Sequence, residues 1–222
     1  NRLCDVGCDH GFLPIYLVQQ KLIPSAIAMD IGEGPLLAAK THIAGAGLET
    51  VITTRRSDGL AQVSEDETDT ILIAGMGGGI VIHILTEGRS VARRVKELIL
   101  QPQSELPKVR RFLMENGYVT EREEMVMEDG KYYPMMRVHF DASAVSHADS
   151  FTEEQELEFR YGKQLLTEKH PVLLAYLRWE VQIQQDILTQ LSGQPATEQI
   201  AARIDDVKQI LAQNARALAY YE

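Results

Sequence analysis

Near its start the chain reads Leu3-Cys4-Asp5-Val6-Gly7-Cys8-Asp9-His10-Gly11. Arg2–Val6 reads as a buried strand that runs straight into a glycine turn, and Phe12–Lys21 then reads as a helix. A glycine directly after a first buried strand lets the backbone approach a ligand, and the next helix offers free N–H groups at its start. A dinucleotide site would carry Gly-x-Gly-x-x-Gly to seat a pyrophosphate. Here the position two after Gly7 is Asp9, which would repel one. Asp5, inside the strand, argues the same way. The turn suits a ligand with a cationic end, such as a sulfonium amino acid, better than a diphosphate. A plain turn of a doubly wound fold is the alternative.

Working outward, the alternation continues. Ala26–Asp30, Val51–Thr54, Thr70–Ala74 and Glu97–Gln101 read as strands. Gly34–Ala46, Ile80–Glu87 and Glu105–Asn116 read as helices, the last closed by Gly117. Strand–helix alternation at this spacing predicts βαβ units and a parallel sheet covered on both faces. Tyr118–Met127 and Tyr132–Phe140 are extended and joined through Glu128-Asp129-Gly130-Lys131, a hairpin signal that ends the sheet in an antiparallel pair. A polar bridge, Ala142–Ser150, follows. Beyond it Thr152 offers an N-cap and Pro171 a helix start. Apolar residues recur at three- and four-residue steps on both sides of Ser192-Gly193-Gln194-Pro195, which predicts an antiparallel helical hairpin. The expected domains are 1–145 and 146–222.

Composition bounds the rest. The 222 residues are 45% apolar and 24% charged, the balance of a folded globular chain. No stretch approaches the roughly 18 apolar residues that span a bilayer, and no signal peptide opens the chain. Cys4 and Cys8 alone make no disulfide framework, so a reducing cytoplasm is the expected home. A chain that opens on Asn1, inside a strand, is expected to begin partway into a longer protein. Net charge is −10, which excludes indiscriminate nucleic-acid binding. From Arg89 to Arg111, however, seven bases face two acids, while residues 141–222 hold seven bases and thirteen acids. One face is thus expected to attract an anion, unless these are merely solvated helices.

Four further candidates lie at strand ends. Asp30, 23 residues after Gly7, can accept from both hydroxyls of a ribose, or can cap the Gly32–Gly34 turn. Ser57-Asp58-Gly59-Leu60 places an acid where an exocyclic amine could be bound. Ile73-Ala74-Gly75-Met76-Gly77-Gly78-Gly79 spends four glycines in five positions, which signals close approach of something flat; no Lys-Ser/Thr follows, so it is no P-loop. Met76 can wall a base, and Gln101, before Pro102, can meet a base edge or simply end its strand. Ligands of open α/β sheets bind at such carboxyl ends. His10 can bond a ligand or cap its helix. His42 and His83 read as packing or surface residues, and Cys8, Asp9 and His10 stand too close together for a metal site.

Together these motifs resemble the class I S-adenosylmethionine-dependent methyltransferases, and within them the TrmK family of bacterial tRNA (adenine(22)-N1)-methyltransferases. The resemblance rests on Asp5-Val6-Gly7-Cys8-Asp9-His10 with Leu13-Pro14, Asp58-Gly59-Leu60, Ile73-Ala74-Gly75-Met76-Gly77-Gly78, Leu100-Gln101-Pro102 and Glu128-Asp129-Gly130-Lys131-Tyr132-Tyr133. The Gly-Met-Gly-Gly element stands where many amino-directed methyltransferases carry Asn-Pro-Pro-Tyr. The resemblance implies a Rossmann-like seven-stranded sheet with its last strand antiparallel and a coiled-coil-like helical tail. It implies S-adenosyl-L-methionine as cofactor, tRNA as partner and no metal. The expected cofactor contacts are Asp5, Gly7, Asp9, His10, Asp30, Ile31, Asp58, Gly59, Ala74, Gly75, Met76 and Gly77. Asp9 is expected to face the target base, with Gly75 and Met76 beside it. Gly78, Gln101, Pro102, Arg89, Lys108, Arg110 and Arg111 are the expected substrate contacts. The tail positions tRNA, covers the core or mediates a homodimer. A nucleotide-binding Rossmann-type oxidoreductase and a non-catalytic interaction protein are the competing readings.

Overall fold

A computed structural model describes residues 1–146, 150–195 and 197–222. The opening stretch forms β1 (Leu3–Val6), all four residues buried, followed by α1 (Phe12–Gln19). Then come β2 (Ala26–Asp30), α2 (Glu33–Gly45), β3 (Ile52–Arg56), β4 (Thr70–Met76), α3 (Gly78–Glu87) and a short α4 (Arg89–Ala92). β5 (Glu97–Pro102), α5 (Leu106–Glu115), β6 (Tyr118–Glu128) and β7 (Lys131–Phe140) complete the sheet. Every predicted strand is present. β3 runs two residues past Thr54 because Arg55 and Arg56 find partners in Glu67 and Glu33. The helix α4 carries no periodicity that would have revealed it.

The strand order is β3-β2-β1-β4-β5-β7-β6. Val6 aligns with Met29 on one side and Ile73 on the other, both in parallel register, while β7 runs against β5 with Met136 opposite Leu100. Chain order reverses direction across β1, so the carboxyl ends of β1 and β4 flank the topological switch point. Side chains alternate across the pleat. Cys4 and Val6 enter one core with Val81, Leu85, Val109 and Leu113 of α3 and α5. Leu3 enters the other with Ala39 and Ile43 of α2. Asp5, two residues from Leu3, faces that second layer.

The Glu128–Lys131 turn is a two-residue hairpin with positive φ at Asp129 (49°) and Gly130 (75°), the geometry that matches strand twist. The chain divides into two compact units. One holds Asn1–Glu123 and, among the described residues, Pro134 to Ser146; the other holds Glu124–Tyr133 and the described residues from Ser150 to Glu222. The tip of the hairpin therefore clusters with the helices, which the sequence pattern did not indicate. Of the expected polar bridge, Ala142–Ala144 form a 3-10 turn, and residues 147–149 lie outside the described residues.

In the second unit, α6 (Glu153–Tyr161) opens on a full capping box, Thr152 with Gln155. α7 (Lys163–Thr167) follows, and α8 (Pro171–Ser192) has its proline in the first turn. α9 (Glu198–Leu218) returns along α8 after the predicted break. Met125 joins Leu157, Leu165, Leu166, Leu173 and Leu177 in one apolar core. Inside this unit Glu180 is buried and fully satisfied. Its Oε1 accepts from Arg160 at 2.8 Å and Tyr176 at 3.2 Å; its Oε2 accepts from Tyr161 at 2.8 Å and Asn214 at 2.9 Å. Four donors from α6, α8 and α9 thus converge on one carboxylate. Removing it takes away the acceptor that these donors share, and breaking a buried pair costs about 3–5 kcal/mol. Glu180→Ala is expected to lower the unfolding free energy, from urea curves followed by far-ultraviolet circular dichroism, by about 3–5 kcal/mol.

Candidate active site

The turn after β1 holds three left-handed residues in five: Gly7 (φ 76°), Asp9 (50°) and Gly11 (71°). The N–H groups of Gly7 and Cys8 both donate to the Met29 carbonyl at 2.8 Å, which locks the turn to β2. A Cβ on Gly7 would lie 2.1 Å from the Met76 methyl, so the glycine accommodates that thioether as well as its own φ. Gly11 is the N-cap of α1. No side chain caps this helix and no acid stands in its first turn. Its first N–H groups are open to an anion such as a carboxylate.

Three acids surround that turn. Asp5 is 5% exposed, and burial followed by the nearby Asp30 charge pushes its carboxyl up to about 7. Among the described residues no cation or hydrogen-bond donor faces it. Asp30 Oδ1 accepts from the Gly32 N–H at 2.9 Å, and Oδ2 receives the Asp9 N–H at 3.4 Å. Asp30 thus organises both neighbouring loops and still has lone pairs for ribose hydroxyls. Ile31 beside it is exposed. The Asp9 side chain is 73% exposed, with His10 Nε2 3.5 Å from its Oδ1. Three carboxylates in one loop cluster suit a cationic ligand and oppose a diphosphate.

The other strand ends fall along the same edge. Ser57 is buried: its N–H reaches the Asp30 carbonyl at 3.0 Å and its hydroxyl the Gly59 carbonyl at 2.8 Å, which leaves Asp58 exposed at the turn. Gly59 has φ 53°, and a Cβ there would meet Ile84 at 3.1 Å. At the end of β4 a bulge falls between Ala74 and Met76, with Gly75 at φ 74°. Gln101 Oε1 accepts the Gly75 N–H at 2.9 Å, and the Met76 carbonyl accepts from Gln103 at 2.8 Å. The Gln101 amide nitrogen is buried and, among the described residues, has no partner. Pro102 pairs with Met76 at the strand end.

Several expected contacts are placed elsewhere. Gly78 is packed against the protein: a Cβ there would lie 2.5 Å from the Ser104 carbonyl. Arg110 is 8% exposed and ion-paired to Glu123 at 2.8 Å, so it ties α5 to β6 rather than reaching outward. Arg89 opens α4, which leads into the amino end of β5, the end opposite the ligand edge. Arg94 and Lys96, at that same end, pair with Glu65 and Asp69. Lys108 pairs with Glu105 on the first turn of α5. The basic stretch therefore forms no single anion-attracting face; Lys108 and the half-buried Arg111 are its members on the helix that leaves the ligand edge.

Two features went unread in the sequence. Glu105, at φ 54°, accepts the Gly79 N–H at the start of α3 at 3.1 Å, and Lys108 holds its carboxyl below the usual range. His10, Phe12 and His42 form a ring stack beside Asp9. A left-handed glutamate and a ring stack between two helices both depend on tertiary placement, and neither leaves a periodic trace.

Comparison with known proteins gives a consistent picture. Residues 3–216 match the family model described as tRNA (adenine(22)-N(1))-methyltransferase. The tRNA (adenine(22)-N(1))-methyltransferase of Bacillus subtilis is 33% identical over 217 residues, 94% of this chain and 90% of that one. The crystal structure of the B. subtilis M1A22 tRNA methyltransferase TrmK superposes with a TM-score of 0.81 at 30% identity, covering 97% of this chain and 91% of its own. A putative tRNA (m1A22) methyltransferase of Streptococcus pneumoniae, solved in complex with S-adenosyl-L-methionine, gives 0.76 at 31% identity over 94% and 91%. With this fold, these strand-end acids and a match along nearly its whole length, the chain belongs to the tRNA (adenine(22)-N(1))-methyltransferase family.

Proposed function

We propose that this protein transfers the methyl group of S-adenosyl-L-methionine to N1 of an adenine in tRNA. The observation that carries the reading is the buried Asp5 carboxylate, raised to about 7 with no cation facing it among the described residues. A cationic ligand at the Gly7 turn supplies the missing charge. In this reading the open start of α1 takes the ligand's carboxylate, and Asp5, Gly7 and His10 surround its amino-acid end. Asp30 accepts from the ribose, Ile31 lies against the adenine, and Asp58 with Gly59 takes the exocyclic amine. Ala74, Gly75, Met76 and Gly77 wall the far side.

S-adenosyl-L-methionine, when bound, supplies a methyl group on a positively charged sulfur. The acceptor N1 brings its own lone pair, so the protein's task is positioning, worth up to roughly 7–11 kcal/mol. Asp9 accepts a hydrogen bond from the adenine N6 amino group and thereby aims N1. As N1 becomes positive, Asp9 takes the N6 proton, a general-base contribution of about 10²–10⁴. Its exposure leaves it free to meet a base arriving from outside. Met76, packed over Gly7, supplies an apolar wall, and Gln101 and Pro102 border the base. An N1 edge in paired RNA is occupied, so the adenine arrives unpaired or flipped. Lys108 and Arg111 supply backbone contacts.

In this reading residues 1–145 are the methyl-transfer domain, and the coiled-coil-like 146–222 domain positions tRNA or mediates a homodimer. A tRNA substrate implies the cytoplasm. No helix among the described residues is long and apolar enough to cross a membrane.

Transfer of tritiated methyl to bulk tRNA followed by nucleoside analysis tests the reading: 1-methyladenosine is expected, and any other methylated nucleoside overturns it. Asp9→Ala is expected to lower kcat by about 10²–10⁴ while S-adenosyl-L-methionine affinity, measured by calorimetry, changes less than about threefold. Asp5 gives a pH signature. Its carboxyl is raised, so between roughly pH 4 and 7 the folded state keeps a proton that the unfolded chain releases. Stability of the ligand-free protein therefore falls as pH rises through that window, by up to about 4 kcal/mol, and is flat above it. Denaturation curves of Asp5→Asn at pH 5 and 8 are expected to lack this fall.

A further inference from the structure

His10 ahead of α1, Phe12 in its first turn and His42 in the last turn of α2 form a cluster of three rings, each in contact with the other two. Phe12 lies 4.6 Å from His42, centroid to centroid, at 24° between planes. His10 lies 5.6 Å from Phe12 at 10°. The stack is built, not fortuitous. The Gly11 turn brings α1 close enough to α2 that a Cβ would sit 3.1 Å from Ala39, and the His42 Nδ1–H donates to the His10 carbonyl at 3.0 Å. The Phe12 ring is nevertheless open to solvent, 62% exposed. His10 touches the site already described, beside the Asp9 carboxylate. None of the assigned steps uses Phe12 or His42.

The chemistry selects the occupant. An exposed flat ring suits another flat ring, and nucleobases stack on aromatic side chains whatever their identity. Drawing an adenine out of its stack to meet Asp9 leaves the neighbouring base with an uncovered face. α1 itself carries no acid, so a strand passing Phe12 meets no carboxylate on this helix.

We propose that Phe12, backed by His42 and His10, is a stacking ledge for the base that adjoins the methylated adenine in the RNA strand. This rests on the tRNA-methyltransferase reading above. Phe12 is a binding residue that holds the strand while the neighbouring adenine is presented to Asp9.

The test compares Phe12→Leu and Phe12→Trp with the wild type, using a tRNA transcript that carries 2-aminopurine on one or the other side of the target adenine. Phe12→Leu keeps an apolar side chain without a ring and is expected to raise KM roughly tenfold to a hundredfold, with kcat within about threefold. Quenching of the 2-aminopurine on one side is expected with the wild type and lost with Phe12→Leu. Phe12→Trp is expected to restore both. The exposed position predicts unchanged melting temperature and unchanged calorimetric affinity for S-adenosyl-L-methionine in both variants. Wild-type kinetics in Phe12→Leu, or failure of Phe12→Trp to restore them, overturns the ledge while leaving the methyltransferase reading standing. A Phe12→Leu effect confined to oligomeric mass in light scattering would assign the ring to a contact between copies and also overturns it. If the wild type methylates no tRNA, the parent reading falls, and the ledge with it.

Discussion

A carboxylate buried in the second residue layer of a parallel sheet, with no counter-charge, is costly to keep. Asp5 is that carboxylate, and the architecture around it makes sense as a consequence. β1 lies inside the sheet between β2 and β4, where Val6 is flanked on both sides and the chain reverses its direction of progress. The Gly7–Gly11 turn exposes its backbone to whatever comes to neutralise the acid. Asp30 pins the adjacent loops while adding to the negative field that raises Asp5. A ligand-free state that is strained electrostatically at one point is a state that gains when a cation arrives.

Much of this was legible because it is local. The β1 and β4 runs are apolar and end in glycine, and the strand ends that carry Gly7, Asp30, Asp58, Gly75 and Gln101 lie where the alternation places them. The Asp129-Gly130 turn declares its own geometry through the demand for positive φ at both residues. The capping box at Thr152 and the helix start at Pro171 were readable for the same reason.

What was not legible depends on partners distant in sequence. Gly78 reads like its neighbours in the glycine run, yet its lack of a side chain serves the Ser104 carbonyl. Arg110 sits in a basic stretch that suggests a surface, and only the fold shows that Glu123 draws it inward. The clustering of the hairpin tip with the helices comes from Met125 joining the leucines of α6 to α8, a pairing that no periodicity announces. Glu180 is similar: one acid among many in an acidic tail, distinguished only by the four donors that surround it.

The packing of Gly78 under Ser104 has a consequence for how the molecule can vary. The backbone of the β4–α3 connection and that of the β5–α5 connection are close, and the Ser104 hydroxyl and Glu105 carboxylate accept from the amides of Gly78 and Gly79. Neither loop can be lengthened or reshaped without its companion. Residues 75–79 and 101–105 therefore behave as one structural block, and a recombined or engineered version must exchange both together.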